Sequence, residues 1–296
     1  MLSIPIVIAG LLLMGAIIAW EILHYRRKSM PFPYREALVS LAISLIYQIS
    51  NVMTLPVMNA INGYVYGFRI HTFSMDQWHH WVLLILLVDF LYYWLHRSMH
   101  GIRWMWASHV VHHSPVTITF SGAYRISVTS ILSMLFIFYL PLYFLGFPPS
   151  AFVQAYAVHL FYQFWLHTDL IPKLGWLEYI FNTPSHHRVH HAVNPRYIDK
   201  NHGGIFIIYD RLFGTFQEEL DSDPCRYGLV GHAPSHNILK IFFQEWWAVI
   251  KDIRTCRSPK ELWMATLAAP GAFQGYRRQH ESGSSQSRVQ DRKESA

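Results

Sequence analysis

At 296 residues the chain is long enough for one large domain or two small ones, and its make-up is 52% hydrophobic and 16% aromatic against only 14% charged. That is too little charge to coat a water-facing globule of this size, and a positive mean hydropathy agrees, so the composition indicates a membrane protein. Two cysteines, Cys225 and Cys256, with no CxxC pair, argue against a disulfide scaffold, an iron–sulfur cluster or a thiolate zinc site.

Apolar runs of near-bilayer length recur along the chain. The first covers residues 2–20 and is followed by "HYRRK"; no positive segment precedes it, which favours a retained helix with its amino terminus outside over a cleaved leader. Further runs follow at 37–58, at 81–95 (interrupted only by Asp89), at 126–146 and at 152–166, the last two joined by the tight "GFPPS" turn. Five spans with an external amino terminus put all but Arg69 of the 24 Lys and Arg residues on one side, which is therefore the cytoplasmic side. The net charge of +6 then describes a face near anionic headgroups rather than a nucleic-acid surface, since no arginine-rich helix or aromatic–basic sheet pattern occurs. Residues 238–253 mix Phe, Trp and Ile with Lys, Gln and Asp, the composition of an interfacial amphipathic helix or of a helix in a cytosolic cap. Residues 279–296 are polar, without apolar periodicity, and are expected to be a disordered tail. The fold expected is all-α: a polytopic membrane bundle of about five spans with a cytosolic histidine-rich helical cap. Its divisions are a transmembrane region at 1–78, a catalytic domain at 79–220, and a cytosolic or interfacial segment at 221–278.

Histidine is the unusual residue, with 19 copies. "HRSMH" supplies His96 and His100 at the end of the third run, "HVVHH" supplies His109, His112 and His113, and "HRVHH" supplies His187, His190 and His191. Spacings of i, i+4 and i, i+3, i+4 bring two or three imidazoles onto neighbouring parts of one helix, which is ligand spacing. At this histidine frequency an HxxHH arises by accident roughly 0.08 times per chain, so two copies are not background. His159, Gln163 and His167 form another line in the fifth run: His167 is level with the boxes, Gln163 is a ligand or donor to one, and His159 is a packing or substrate-cavity residue. His79 and His80 start the third run, about 24 Å of helix from His96, and belong to the opposite face. His24, His71, His232, His236 and His280 stand outside any box.

Nine histidines thus converge at one edge: His96, His100, His109, His112, His113, His167, His187, His190 and His191. One ion takes about four such ligands, so nine imply two metals. Imidazole suits zinc, copper, iron and nickel alike, and the setting selects among them. A pair of irons at the mouth of a membrane cavity activates dioxygen against an alkyl C–H bond, which no acid–base residue can attack. A zinc hydrolase needs a carboxylate base within its boxes, and these have none; Asp89, seven residues before His96, is expected to orient a ligand imidazole. The expected activity is an O2-dependent lipid hydroxylation, with a desaturase on the same core, or a histidine-rich metal transporter or sensor, as alternatives. Electrons are expected from a separate electron-transfer protein or a small reductant, since no HPGG segment, cysteine cluster or GxGxxG fingerprint occurs. Around the third box, Thr183 to Ser185 are expected to cap a helix with Pro184 at its first position, and Asn201, Gly203 and Gly204 to form a tight turn beneath the metals.

The HxxxH, HxxHH, HxxHH series, with the first box ending a span, resembles the signature of the fatty acid hydroxylase / sterol desaturase superfamily of membrane di-iron enzymes, over roughly residues 89–216. The "YQFW", "NTPSHHRVHH", "IDKN" and "FGTF" stretches are similar to those of its alkylglycerol monooxygenase branch and bacterial relatives. The resemblance implies iron-ligand roles for the nine histidines, with dioxygen as co-substrate and an oxygenase activity on a glycerolipid or related lipid. Residues placed around the metals in this reading are Asp89, Gln163, His186, Asn201, His202 and Asp210. Gly101 stands where that branch carries Glu after the first box, and His202 where it carries Tyr, so ether-lipid cleavage and a pterin donor do not follow from the resemblance alone.

Overall fold

The structure, a computed structural model, describes residues 4–279. Residues 2 and 3 of the first apolar run, and all of the expected tail except Gln279, lie outside the described residues. The fold is all-helical; among the described residues only two isolated bridges, Phe181 with Phe206 and Ala192 with Tyr227, have extended pairing.

Among the described residues three helices are long and apolar enough to cross a bilayer: α1 (Ile4–Arg27), α2 (Tyr34–Gly67) and α3 (Trp78–Gly101). The apolar windows of α1 and α2 are only 11% buried within the protein against 44% for α3. Helix α3 is accordingly the central post, and the other two turn most of their surface outward. Its buried Leu84, Val88 and Leu95 pack with Leu142, Phe147, Ala151 and Ala155 in the largest apolar cluster.

The fourth apolar run is not one helix. It passes through turns and a 3-10 segment (Leu135–Tyr139) into the short α5 (Leu140–Leu145), and reverses at Gly146 into the 16-residue α6 (Pro149–Phe164). Gly146 has φ 116°, and a Cβ there would run into the His71 carbonyl, so no other residue type suits the reversal. The apex is stitched to the α2–α3 loop, Ile70 N–H donating to Phe144 O (2.9 Å) and Phe73 N–H to Gly146 O (3.2 Å). Phe73 also stacks on Phe147 at 4.0 Å between centroids. The hairpin therefore runs from the histidine-bearing end of α3 to its other end and back, although neither arm is by itself a bilayer-length helix.

At Ile102 the backbone becomes extended (φ −119°, ψ 114°), ending α3 and redirecting the chain into α4 (Arg103–His113). Arg103, buried at that corner, pairs with Glu245 (2.8 Å) and Asp252 (2.6 Å) of α9 (Ile238–Ile253), while α10 (Pro259–Thr266) follows and packs alongside. Helix α9 has one apolar side packed inward and another turned outward. Ile241, Phe242, Trp246 and Val249 are buried, while Leu239, Phe243, Trp247 and Ile250 form an exposed apolar stripe on its outer side. Between these parts lie α7 (Pro184–His191) and α8 (Ile208–Phe213). Pro184 does occupy the first turn of α7, but Thr183 does not cap it: the Thr183 hydroxyl donates to Glu178 (2.8 Å) instead.

Candidate metal centre

The nine box histidines separate into two compact groups. His96 and His100 from α3, His109 and His113 from α4 and His190 from α7 form a group of five; His112 from α4, His167 just beyond α6, and His187 and His191 from α7 form a group of four. Within each group the donor atoms lie within 4.8 Å of one another. Helix periodicity accounts for the division. At about 100° per residue, positions i and i+4 diverge by about 40°, whereas i+3 is about 100° from i+4. Each HxxHH therefore gives its first and last histidines to one group and its middle one to the other. α4 and α7 do this in opposite senses, so each helix supplies ligands to both groups.

The nitrogens have the spacing of ligands. Nε2 of His96 lies 3.0 Å from that of His109, and His113 Nε2 is 3.2 Å from His109 Nε2. In the other group His167 Nε2 is 3.2 Å from His112 and 2.9 Å from His187, whose Nε2 is 3.0 Å from His191. Two nitrogens bound to one ion at about 2.1 Å and near a right angle are about 3.0 Å apart. His187 Nε2 faces two such neighbours, and one proton cannot serve both. Nε2 of His100 and of His190 are buried with no hydrogen-bond partner among the described residues. A cation within each group satisfies every one of these lone pairs, so the residues fit a bound metal.

The outer nitrogens of four rings are held by the backbone, while that of His187 is buried without a partner among the described residues. His96 Nδ1 donates to His202 O (2.9 Å), His190 Nδ1 to Lys200 O (2.9 Å) and His167 Nδ1 to Gln163 O (3.0 Å), while His112 is hydrogen-bonded to the Arg125 backbone. His100 Nδ1 meets the largely exposed Asp199 at 3.2 Å. These contacts put the proton on Nδ1 and direct the Nε2 lone pair inward. Burial, reinforced by the neighbouring imidazoles, pushes His109, His113, His187, His190 and His191 well below the ordinary imidazole value, and burial lowers His112 to about 4. The rings are thus neutral donors near pH 7, the form a metal requires.

The residues assigned around the boxes are distributed less simply. Asp89 does not touch any of the nine rings. It accepts from His159 Nε2 (2.7 Å) and from the backbone N–H groups of Ile205 (2.6 Å) and Phe206 (3.1 Å). The expectation that it orients a ligand imidazole is therefore corrected: a buried carboxylate inside α3 finds its donors in the returning 199–206 loop. His159 is fully buried with its second nitrogen engaged by Gln163 Nε2 (2.8 Å), so both ring nitrogens are committed. Gln163 reaches the four-histidine group only through its main-chain oxygen. His186 faces away, its ring against Phe216 (5.4 Å) and its Nε2 4.0 Å from Glu178, and burial lowers it to about 4.

The 199–206 loop is the support of the five-histidine group. Asn201 takes φ 57° and bridges His186 O and Gln217 O, and Asp199 is also left-handed (φ 56°). These two residues, not the glycines, make the turn. Gly203 and Gly204 instead permit close approach: a Cβ at Gly204 would collide with His159 and Asp89, and one at Gly203 with Phe206 O. Asp210 is fully buried and accepts from His202 N–H (2.7 Å), Gly203 N–H (2.7 Å) and the Thr215 hydroxyl (2.6 Å), fastening the stretch whose carbonyl holds His96. His202 itself lies 5.0 Å from the His100 ring and outside both groups.

Sequence reasoning missed four contributors. Asp199 and Lys200 lie within the "IDKN" stretch and could have been found from it; Arg125, whose backbone holds His112, and Tyr227, from a distant segment that bridges to Ala192, carry no local signal. His79, His80, His24, His71, His232 and His236 all stand outside the two groups, and His280 lies outside the described residues.

Comparison with known proteins agrees with this geometry. The family model described as fatty acid hydroxylase matches residues 81–215, which contain all nine histidines. An alkylglycerol monooxygenase of Danio rerio is 39% identical over 250 residues, covering 81% of this chain and 54% of that protein. The Homo sapiens alkylglycerol monooxygenase is 34% identical over 267 residues, covering 89% and 55%. An ornithine lipid hydroxylase of Rhizobium tropici is 30% identical over 162 residues, covering 54% and 49%. The chain thus spans about half the length of the curated relatives it matches. No solved structure matches it. The histidine constellation and the similarity that surrounds it identify the chain as a member of the fatty acid hydroxylase family.

Proposed function

We propose that this chain is an integral-membrane, di-iron, O2-dependent lipid monooxygenase, with the five-histidine and four-histidine groups each holding one iron. The observation that carries the reading is the division of nine imidazoles, all buried but the half-buried His112, into two adjacent donor sets with no carboxylate base among them. Iron bound there supplies reductive activation of dioxygen, so that an aliphatic C–H becomes C–OH while the second oxygen atom leaves as water, at the expense of two electrons and two protons. The electrons come from an external protein or small reductant.

The protein's own task is geometric. The backbone carbonyls of Gln163, Lys200 and His202 lock the tautomers of His167, His190 and His96, burial keeps the rings neutral, and α4 and α7 hold the two sets at a fixed separation. Hydroxylation is favoured over desaturation because the similar proteins are named as monooxygenases and a hydroxylase. A neutral ether- or hydroxyl-bearing glycerolipid is the first substrate class to test, in keeping with the alkylglycerol relatives. The chain crosses the bilayer with α1, α2, α3 and the two arms of the 126–166 hairpin, which preserves the five-pass parity. The histidine end then lies on the positively charged, cytoplasmic side.

The test is to supply lipid extracts and labelled dioxygen to membranes with and without the protein. A lipid product carrying one labelled oxygen is expected; undiminished product formation under strict anaerobiosis would overturn the reading.

A further inference from the structure

The two histidine groups are not equally accessible. His112 of the four-histidine group is only partly buried, whereas every member of the five-histidine group is buried. A small cavity of about 10 Å³ reaches His112, His167 and His191, framed by Pro115, Thr117, Ile118, Gly122 and Tyr227. A larger one of about 200 Å³ adjoins it and shares Tyr227. Between them runs the 114–117 segment, with Ser114 and Val116 lining the larger cavity and Pro115 and Thr117 the smaller. Neither cavity is lined by a residue of the five-histidine group.

Two details mark the small cavity as an entrance. The Thr117 hydroxyl is buried and has no hydrogen-bond partner among the described residues, so it is free to bond a guest in the cavity. Gly122, in the 3-10 turn Phe120–Tyr124, has nothing within 4 Å of the position a Cβ would take, so open space begins there. No Lys, Arg, Asp or Glu side chain lines either cavity, a setting for an uncharged polar head rather than a phosphate.

We propose that the lipid substrate meets the centre through the four-histidine group, entering past Gly122 and Tyr227, with the Thr117 hydroxyl bonding an uncharged oxygen beside the reacting carbon and the larger cavity receiving the neutral head. This rests on the lipid monooxygenase reading above. The four-histidine set also leaves one more coordination position free than the five-histidine set, in line with its open side. Thr117 is a substrate-positioning residue, and Gly122 sets the width of the opening.

The full chain in lipid nanodiscs, metal-loaded and metal-free, is labelled with a 1-O-alkylglycerol bearing a photoreactive group beside the ether, and the labelled peptides are mapped by mass spectrometry. Labelling is expected on residues 115–122 and around Tyr227, displaced by unlabelled alkylglycerol and at least tenfold less well by its phosphorylated analogue. Gly122→Leu is expected to cut labelling about tenfold with metal content unchanged, and Gly122→Ala, which fits the open space, to cut it partially. Thr117→Val is expected to raise KM about 3- to 10-fold with kcat little changed, the effect of one lost hydrogen bond. Labelling beside Trp106 and Asp199, next to the five-histidine group, would overturn the inference, as would undiminished labelling of Gly122→Leu. A wild-type protein that oxygenates no lipid at all sinks the proposed function, while the labelling map still decides the entrance.

Discussion

Asp210→Asn is the sharpest perturbation of the support beneath the five-histidine group. The carboxylate accepts three hydrogen bonds in a fully buried site: Oδ1 from His202 N–H and the Thr215 hydroxyl, and Oδ2 from Gly203 N–H. An asparagine of the same shape keeps the Oδ1 pair as weaker neutral bonds and turns an NH2 toward the Gly203 N–H, leaving that donor unsatisfied. An unsatisfied buried donor costs about 1–3 kcal/mol, and loss of charge assistance at the other two bonds adds about 1–3 kcal/mol. Burial pushes the Asp210 carboxyl upward, so removing the charge recovers part of this, and a net cost of about 2–4 kcal/mol is expected. For a chain of this length that corresponds to a Tm lower by about 4–8 °C. Because the fastened stretch carries the His202 carbonyl that orients His96, the same substitution is expected to lower metal occupancy of one centre while sparing the other. Thermal unfolding in detergent and elemental analysis of the purified variant measure both. An unchanged Tm with full metal content would refute the reasoning that this carboxylate organises the centre.

Three further outcomes follow from the same geometry. Arg188→Met removes a bidentate pair with Glu219 (2.8 and 2.7 Å) and donors to the Thr168 and Ile171 carbonyls, leaving a partly buried carboxylate without its cation; a loss of about 3–5 kcal/mol is expected, partly restored by adding Glu219→Gln, as read by a double-mutant cycle in thermal unfolding. The metal-free protein is expected to lose stability as pH falls from about 6.5 to 4. Neutral His112 and His186 have folded values near 4, so across that window the unfolded chain binds more protons, at a cost on the order of 2–3 kcal/mol per ring; flat stability over that range would contradict it. His80→Ala, at the far end of α3 with its Nδ1 at the Ser74 carbonyl (2.7 Å), is expected to leave metal content unchanged by elemental analysis.

Much of the site was legible because its signal is periodic. The i, i+4 spacing is a local property of helices, so the boxes named the histidines, and the count of nine pointed to two metals. The crossing of His112 and His190 to opposite groups was also implicit in the i+3 angle, but only packing of α4 against α7 turns that angle into two centres. What escaped was non-local. Asp89 was assigned by its closeness in sequence to His96, whereas its donors come from Ile205 and Phe206, more than a hundred residues on. The fourth apolar run has the hydropathy of a span, but it is turns, a 3-10 segment and the short α5 rather than one helix, and its course is set by its stitching to residues 70–73. Hydropathy reports burial from water and says nothing of whether one helix or two fragments achieve it.

Nine imidazoles holding two irons is the proposed arrangement. Elemental analysis combined with X-ray absorption at the iron edge, on protein purified anaerobically, tests it most directly. Two irons per chain with nitrogen-dominated coordination are expected, falling to about one in either His187→Ala or His96→Ala. A single iron in the wild type, or zinc alone with no capacity to take up iron, would contradict the account.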